Sequence, residues 1–273
     1  MLGQEVVRVF SADPQWNVVA WDYENLDITD ANKVRALLTA AEPALVINCA
    51  AYNNVDGAEA EPERATLLNA TAVEHLAKTC TEIEATLIHF STDYVFEGAK
   101  RQGYVEADGP NPQSAYGRSK AAGEISAQHN PRHYLVRLSR LFGKPAVSEN
   151  AKRSFVDTML ALAQQRSSLE VVDAEFSSPT YAPDLAQAVF DIVRLQSPYG
   201  TYHRTNDGAC TWYGFAQEIF RLAEKSVTLT PVSPEKFSRP AARPAYSQLL
   251  TTKLPPLRPW QAALADYLNE QHS

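Results

Sequence analysis

The chain has 273 residues, 45% hydrophobic and 21% charged, which is the composition of a folded globular protein rather than a disordered one. Its net charge of −7 opposes binding to nucleic acid or to an anionic membrane through the field of the whole molecule, so an anionic ligand needs a local basic pocket. Three widely spaced cysteines, Cys49, Cys80 and Cys210, form neither a disulfide framework nor a zinc pattern and point to the reducing cytoplasm.

Along the chain, short apolar runs alternate with helical patterns. The opening Met-Leu-Gly-Gln-Glu carries no signal-peptide pattern, and no apolar run is long enough to span a bilayer. Residues 17–22 read as a buried strand. Thr29 is expected to cap a helix through Ala41, with Val34, Leu37 and Leu38 on one face. A second strand covers 45–48, and a helix over 62–79 sets Leu68, Val73, Leu76 and Ala77 near one stripe. A third strand, 86–91, leads to a helix over 114–128 and a strand at 134–138. This alternation predicts right-handed crossovers and a parallel sheet covered on both faces, a doubly wound α/β fold. The second half is less regular. Helices are expected near 155–165, from Pro183 to about Leu195, over 212–225 and around Trp260, Leu264 and Leu268. Strands are expected at 169–172 and 200–203, and the proline-rich stretch 231–259 reads as loop.

Ser91-Thr92-Asp93 follows a strand at its carboxyl end, where open parallel sheets bind ligands. Downstream lies Tyr116-Gly-Arg-Ser-Lys120, on a helix. Residues four apart share a helix face, so phenol and ammonium can face one pocket. A free tyrosine titrates near pH ~10, and a cation beside it favours the phenolate and moves the group towards acid–base work. Thr92 can supply a hydroxyl to hold the substrate oxygen that Tyr116 protonates. A Tyr-x-x-x-Lys spacing alone is weak, since chance supplies about 0.4 of them in such a chain. Its placement one loop after a strand ending in Ser-Thr-Asp outweighs a stray surface tyrosine.

With these residues in view, the chain resembles the extended short-chain dehydrogenase/reductase superfamily and, within it, the dTDP-4-dehydrorhamnose reductase family. The resemblance is carried by Leu26-Asp-Ile-Thr-Asp30, Val46-Ile-Asn-Cys-Ala-Ala-Tyr52, Val55-Asp56 with Ala58-Glu59, Ser91-Thr-Asp-Tyr-Val-Phe96, Tyr116-Gly-Arg-Ser-Lys120, Ser178-Pro-Thr-Tyr-Ala-Pro-Asp-Leu185 and Arg243-Pro-Ala-Tyr-Ser247. It implies an enzyme that uses NADPH or NADH to reduce the 4-keto group of dTDP-6-deoxy-L-lyxo-4-hexulose, giving dTDP-L-rhamnose. Carried over, Tyr116 is the proton donor. Lys120 lowers its pKa and binds the nicotinamide ribose, and Thr92 polarises the keto group. Asp27 and Ile28 lie by the adenine, Ala51, Tyr52 and Asn53 along the dinucleotide, and Asp93 beside Thr92 at the sugar nucleotide. The implied architecture is a Rossmann-like dinucleotide-binding domain over 1–141, to which 167–196 returns. A smaller loop-rich α/β substrate-binding region covers 142–166 and 197–273.

Two departures stand out. The family opens with a strand and a Gly-x-x-Gly-x-x-Gly turn, whereas this chain begins at Leu2-Gly3-Gln4-Glu5, matching only the end of that turn and the helix after it. This reads as a start placed too late. It predicts a slot roughly 10 Å wide between two unpaired strand edges, and loss of the phosphate cradle with its helix N-terminus. Arg140 stands where the family usually has tryptophan against the sugar nucleotide. It offers a planar stacking face and a charge that pairs with phosphate. Ser154 stands where asparagine is commoner.

Other features have plainer readings. Arg239 and Arg243 sit on a stiff loop, and the resemblance makes Arg243 a candidate diphosphate clamp. Glu59, Glu61 and Glu63 suit a helix start. Some family members bind magnesium at a position that falls near Glu5, which reads first as a helix-surface glutamate; no metal ligand set is assigned. His75, His89, His129, His133, His203 and His272 show no metal spacing. Trp212, Tyr213 and Trp260 read as packing aromatics. Asp22 is a weak candidate for a ribose-binding carboxylate. The resemblance leaves a homodimer open. Two other functions compete: a non-catalytic regulatory protein on the same fold, like the beta subunit of methionine adenosyltransferase, and an epimerase or dehydratase of another nucleotide sugar. The intact Thr92, Tyr116 and Lys120 oppose the first, and the Ser-Thr-Asp-Tyr-Val-Phe run opposes the second.

Overall fold

In the computed structural model, residues 1–146 and 153–271 are described; His272 lies outside them. The chain runs through α1 (Leu2–Ser11), α2 (Ala31–Ala41), β1 (Leu45–Asn48), the short α3 (Gly57–Ala60) and α4 (Pro62–Thr66), α5 (Ala72–Glu82), β2 (Thr86–Thr92) and α6 (Ala115–Ala127). It continues through β3 (His133–Leu138), β4 (Leu141–Phe142), α7 (Phe155–Ala163), β5 (Ser168–Val172), β6 (Thr180–Tyr181) and α8 (Ala182–Arg194). Last come β7 (Gly200–His203), α9 (Trp212–Leu222), β8 (Thr228–Val232) and α10 (Trp260–Gln271).

The main sheet is parallel, in the order β1-β2-β3-β7. Successive strand residues point to opposite faces, and β2 shows it. Ile88 and Phe90 enter an apolar cluster with Leu2, Val6 and Phe10 of α1 and Leu185 and Val189 of α8. Leu87, on the other face, packs with Val34 and Leu38 of α2, Val73 and Leu76 of α5, and Ala127 of α6. Both faces are therefore covered by helices, as the alternating sequence predicts. A third cluster joins Phe142, Val156, Leu169, Phe215, Ile219, Trp260 and Leu264 into a separate region. Within it β5 pairs with β8, and β4 with β6 joins the region to α8.

Several expectations are corrected. Residues 17–22 form no strand; they pair with nothing in the sheet and leave Val19 and Trp21 exposed. The outer edge of β1, by contrast, has no strand partner among the described residues, in line with the unpaired edge expected there, and Leu45, Val46 and Ile47 are only half-buried. The cap of α2 is Asp30, whose carboxylate accepts from the Asn32 and Lys33 amides at 3.1 Å; the Thr29 hydroxyl is instead turned to Asp27 at 2.7 Å. The helix expected over 62–79 contains a π turn at Leu67–Thr71. That turn rephases the stripe, so Leu68 is half-buried while Asn69 is fully buried. The proline-rich tail is preceded by a strand that runs into it, β8, tolerating Pro231 because a strand at a sheet edge does not need every amide. The regional boundary also shifts. Gly200–His203 is the fourth strand of the main sheet rather than part of the second region, and Ser168–Val172 belongs with β8. Ser154 serves as a helix cap, forming a reciprocal capping box with Asp157 at the start of α7.

Candidate active site

Strand β2 ends on Thr92, and Ser114 caps α6 by accepting from the Gly117 amide at 3.0 Å. Glu59 adds a second cap, taking the Ala115 amide at 2.7 Å, so its carboxylate serves α6 rather than its own helix. These two devices bring Thr92, Asp93, Tyr116 and Lys120 to one cavity of about 720 Å³ above the carboxyl ends of the strands. Ala51, Asn53, Arg140 and Arg243 line the same cavity. Asp27, Ile28 and Tyr52 do not. Asp27 is engaged by the Thr29 amide and hydroxyl, which hold its carboxyl below the usual range. Asp22 takes the Glu24 amide at 3.1 Å and lies apart as well. Met1, Leu2 and Gly3 also line the cavity, so the N-terminal end of α1 faces it, contrary to the expected loss of that geometry.

Tyr116 is buried, and burial raises its phenol above the ordinary tyrosine range; hydrogen bonding with Thr92 opposes the shift, and the Asp93 charge adds to it. Lys120 is held apart by partners of its own. Its ammonium donates to the Phe90 carbonyl at 2.6 Å and lies 3.4 Å from His89 Nε2. Burial pushes Lys120 down to about 8, with Glu124 pulling the other way. Desolvation thus outweighs the lowering expected from the ammonium, and the net shift of the phenol is upward. The phenol therefore keeps its proton at neutral pH, as a donor must. Thr92 has one hydroxyl proton, given to Asp93 Oδ1 at 3.1 Å, while its oxygen accepts from the Tyr94 amide at 3.2 Å. Negative charge growing on the Tyr116 oxygen would draw that proton across. Asp93 is buried and raised by desolvation, although Ser247 donates to it at 2.6 Å.

Sequence reasoning missed the residues that tie this site together. Asn69, in the π turn, donates to the Tyr52 carbonyl at 3.1 Å and to Ser119 Oγ at 2.9 Å, and accepts from the Tyr52 amide at 2.8 Å. It fastens the segment after β1 to α6. The helix crosses so closely that a Cβ on Gly123 would stand 2.0 Å from the Asn69 carbonyl oxygen. A π turn is hard to see in a sequence because it needs only one residue beyond an α turn. Glu5 is likewise no surface residue: it is 7% exposed and bound to Arg8.

Arg140 lies with its guanidinium 3.9 Å over the Trp212 ring and donates to the Cys210 carbonyl at 2.8 Å and to the Glu175 carbonyl. Both Arg140 and Glu175 hold positive φ, 42° and 64°. Such strain in non-glycine residues concentrates at functional sites. Trp212 is both a packing aromatic, against Phe155, and a cavity wall. The lining carries five cations, Lys120, Arg140, Arg153, Arg239 and Arg243, against the three carboxylates Asp56, Asp93 and Glu175. This is the local basic pocket that the acidic chain requires for an anionic ligand. No helix among the described residues is long and apolar enough to cross a membrane.

A family model described as the RmlD substrate binding domain matches residues 1–273. A probable dTDP-4,6-dihydroxy-2-methyloxan-3-one 4-ketoreductase of Streptomyces antibioticus is 39% identical over 274 residues, covering 97% of this chain and 90% of that one. Among solved structures, a dTDP-4-dehydrorhamnose reductase from Clostridium acetobutylicum superposes with a TM-score of 0.94 at 36% identity, covering 100% of this chain and 96% of that one. A dTDP-4-dehydrorhamnose reductase from Bacillus anthracis, in complex with NADP, gives 0.92 at 34% identity, with 98% and 95% covered.

Proposed function

Because the chain belongs to the RmlD substrate-binding-domain family, we propose that it is an NAD(P)H-dependent reductase acting on the 4-keto group of a dTDP-6-deoxy-hexulose to give dTDP-L-rhamnose. The observation that carries this reading is the meeting of Thr92, Tyr116 and Lys120 in one cation-rich cavity. The names of the relatives support it, as does the NADP bound by the Bacillus anthracis structure. The same geometry supports catalysis over the non-catalytic regulatory alternative.

The cavity suits a dinucleotide in its donor set: the N-terminal turn of α1, the chain at Ala51 and Asn53, and the Lys120 ammonium. When bound, NAD(P)H supplies the hydride. The protein aligns the reactants and supplies one proton. Tyr116 gives its proton to the substrate oxygen as charge develops there. Thr92 redirects its hydroxyl from Asp93 towards the same region, and Lys120, fixed by the Phe90 carbonyl, contributes positive charge. Arg140, Asp93 and Arg243 form the sugar-nucleotide side. In this reading the β1-β2-β3-β7 sheet holds the dinucleotide and the β5–β8 region the nucleotide sugar. A cytoplasmic location belongs to the same proposal, supported by three cysteines that are all free; the homodimer is tested by light scattering.

The test is oxidation of NADPH or NADH followed at 340 nm with and without dTDP-6-deoxy-L-lyxo-4-hexulose. Turnover that depends on the sugar nucleotide is expected. Cofactor binding with no turnover on this or a related dTDP-4-keto sugar would overturn the assignment.

A further inference from the structure

Asp56 immediately precedes α3, a position where a carboxylate ordinarily caps helix amides. It makes no such bond. Asn54 takes the Gly57 amide instead, at 3.0 Å. The Asp56 carboxylate is spent wholly on residues almost two hundred positions later. Its Oδ1 accepts from the Ala241 amide at 3.1 Å and from Arg243 Nη1 at 2.9 Å, and its Oδ2 accepts from Arg243 Nη2 at 2.6 Å. The last two bonds form a two-pronged pair, the geometry that fixes a guanidinium most firmly.

The segment carrying Arg243 is a strap across the cavity. Arg239 is tied to Glu175. Beyond Arg243, Pro244 packs so tightly on Gly98 that a Cβ there would stand 2.4 Å from the Pro244 Cα. Gly98 has φ +81°, and its carbonyl accepts from the Tyr246 amide at 3.0 Å. Ser247 then donates to Asp93. Asp56 is the anchor on the β1 side.

A guanidinium has five N–H donors. Arg243 gives two to Asp56 and a third, from Nη1, to the Ala241 carbonyl at 2.7 Å. The Nε–H and one Nη2–H have no acceptor among the described residues. From this geometry we infer that Asp56 is a positioning residue, holding Arg243 at the cavity wall with two donors left for the diphosphate of the nucleotide sugar. The inference rests on the reading of Arg243 as a substrate contact. The opposite role is also physically coherent: a carboxylate that neutralises Arg243 and keeps anions away. The two roles predict opposite signs.

The experiment measures dTDP binding by calorimetry on the full chain, with NADPH binding in parallel. Asp56→Asn keeps the shape and the Ala241 acceptor but loses the charge and the second prong. It is expected to weaken dTDP about tenfold, leave NADPH within about twofold, and raise KM for the sugar nucleotide while kcat stays within about twofold. Arg243→Lys keeps the charge but cannot span both carboxylate oxygens, and should reproduce the loss. Unchanged or tighter dTDP binding in either variant overturns the positioning role, as does a fall in kcat matching the rise in KM. Arg243→Ala separates the two ideas. If it weakens dTDP while Asp56→Asn does not, only the positioning role fails; if it too leaves dTDP unaffected, the substrate reading of Arg243 fails with it.

Discussion

Lys120 donates to the carbonyl oxygen of Phe90 at 2.6 Å, two residues before the strand ends at Thr92. The ammonium is therefore placed by the backbone of the central strand, while its partner on the same helix, Tyr116, packs in a T-shaped contact with the Tyr94 ring, 5.7 Å between centroids. One helix face carries both groups, but two different neighbours orient them.

Tyr116→Phe removes the proton donor and keeps the packing. Steady-state kinetics should show kcat lowered about 10²–10⁴-fold, with the NADPH dissociation constant within about twofold by fluorescence titration. Normal turnover would exclude the phenol as the acid.

The buried Lys120 gives a pH signature. Its pKa falls from 10.5 to about 8, so the ammonium is lost as pH rises through that value, and the rate should decline on the alkaline side. Stability runs the other way. Between about 8 and 10.5 the unfolded chain binds a proton that the native state does not, so folding gains with rising pH in that window. Lys120→Met should accordingly be more stable than the parent below pH 8, lose that advantage above about pH 10, and turn over far more slowly. Urea unfolding at several pH values checks it; an advantage that is independent of pH would refute it.

Beneath α6 lies a buried ion pair. Arg137 meets both oxygens of Glu124 at 2.8 and 2.7 Å, with side chains 4% and 3% exposed, and Ser91 donates to the same carboxylate at 2.6 Å. Glu124→Gln leaves a buried guanidinium unpaired and should cost about 3–5 kcal/mol by denaturant titration. The double change Glu124→Leu with Arg137→Met should cost much less, since the penalty comes from the orphaned charge.

Gly123→Ala forces a Cβ to within 2.0 Å of a backbone oxygen, which no side-chain motion relieves. A loss of about 3 kcal/mol is expected, with reduced kcat because α6 must move. Wild-type stability in this variant would contradict the close crossing.

Much of the site was legible because its chemistry is local. Ser91-Thr-Asp93 is a strand end, and Tyr116 with Lys120 is one helical turn, so spacing together with the order of elements points to one pocket. What escaped is non-local. Nothing near Asp56 announces Arg243, and nothing near Glu59 announces the Ala115 amide; both pairings depend on the completed fold. The net upward shift of Tyr116 has a related origin: spacing fixes which face a charge occupies, but not how much the folded chain desolvates the group it faces. In the fold, apolar periodicity found the covered sheet, whereas residues 17–22 have strand composition and no neighbour to pair with.

The π turn at Leu67–Thr71 has a consequence for chain length. The turn accommodates one residue more than an α turn, so removing a single position from it would restore an ordinary α turn and leave the helices on either side in nearly their present phase. What would go is the widened turn itself, and with it the side chain of Asn69 that fastens the Tyr52 backbone to Ser119. A one-codon deletion here would therefore spare the helix and cost the fastening, a loss in the cleft with little trace in the fold.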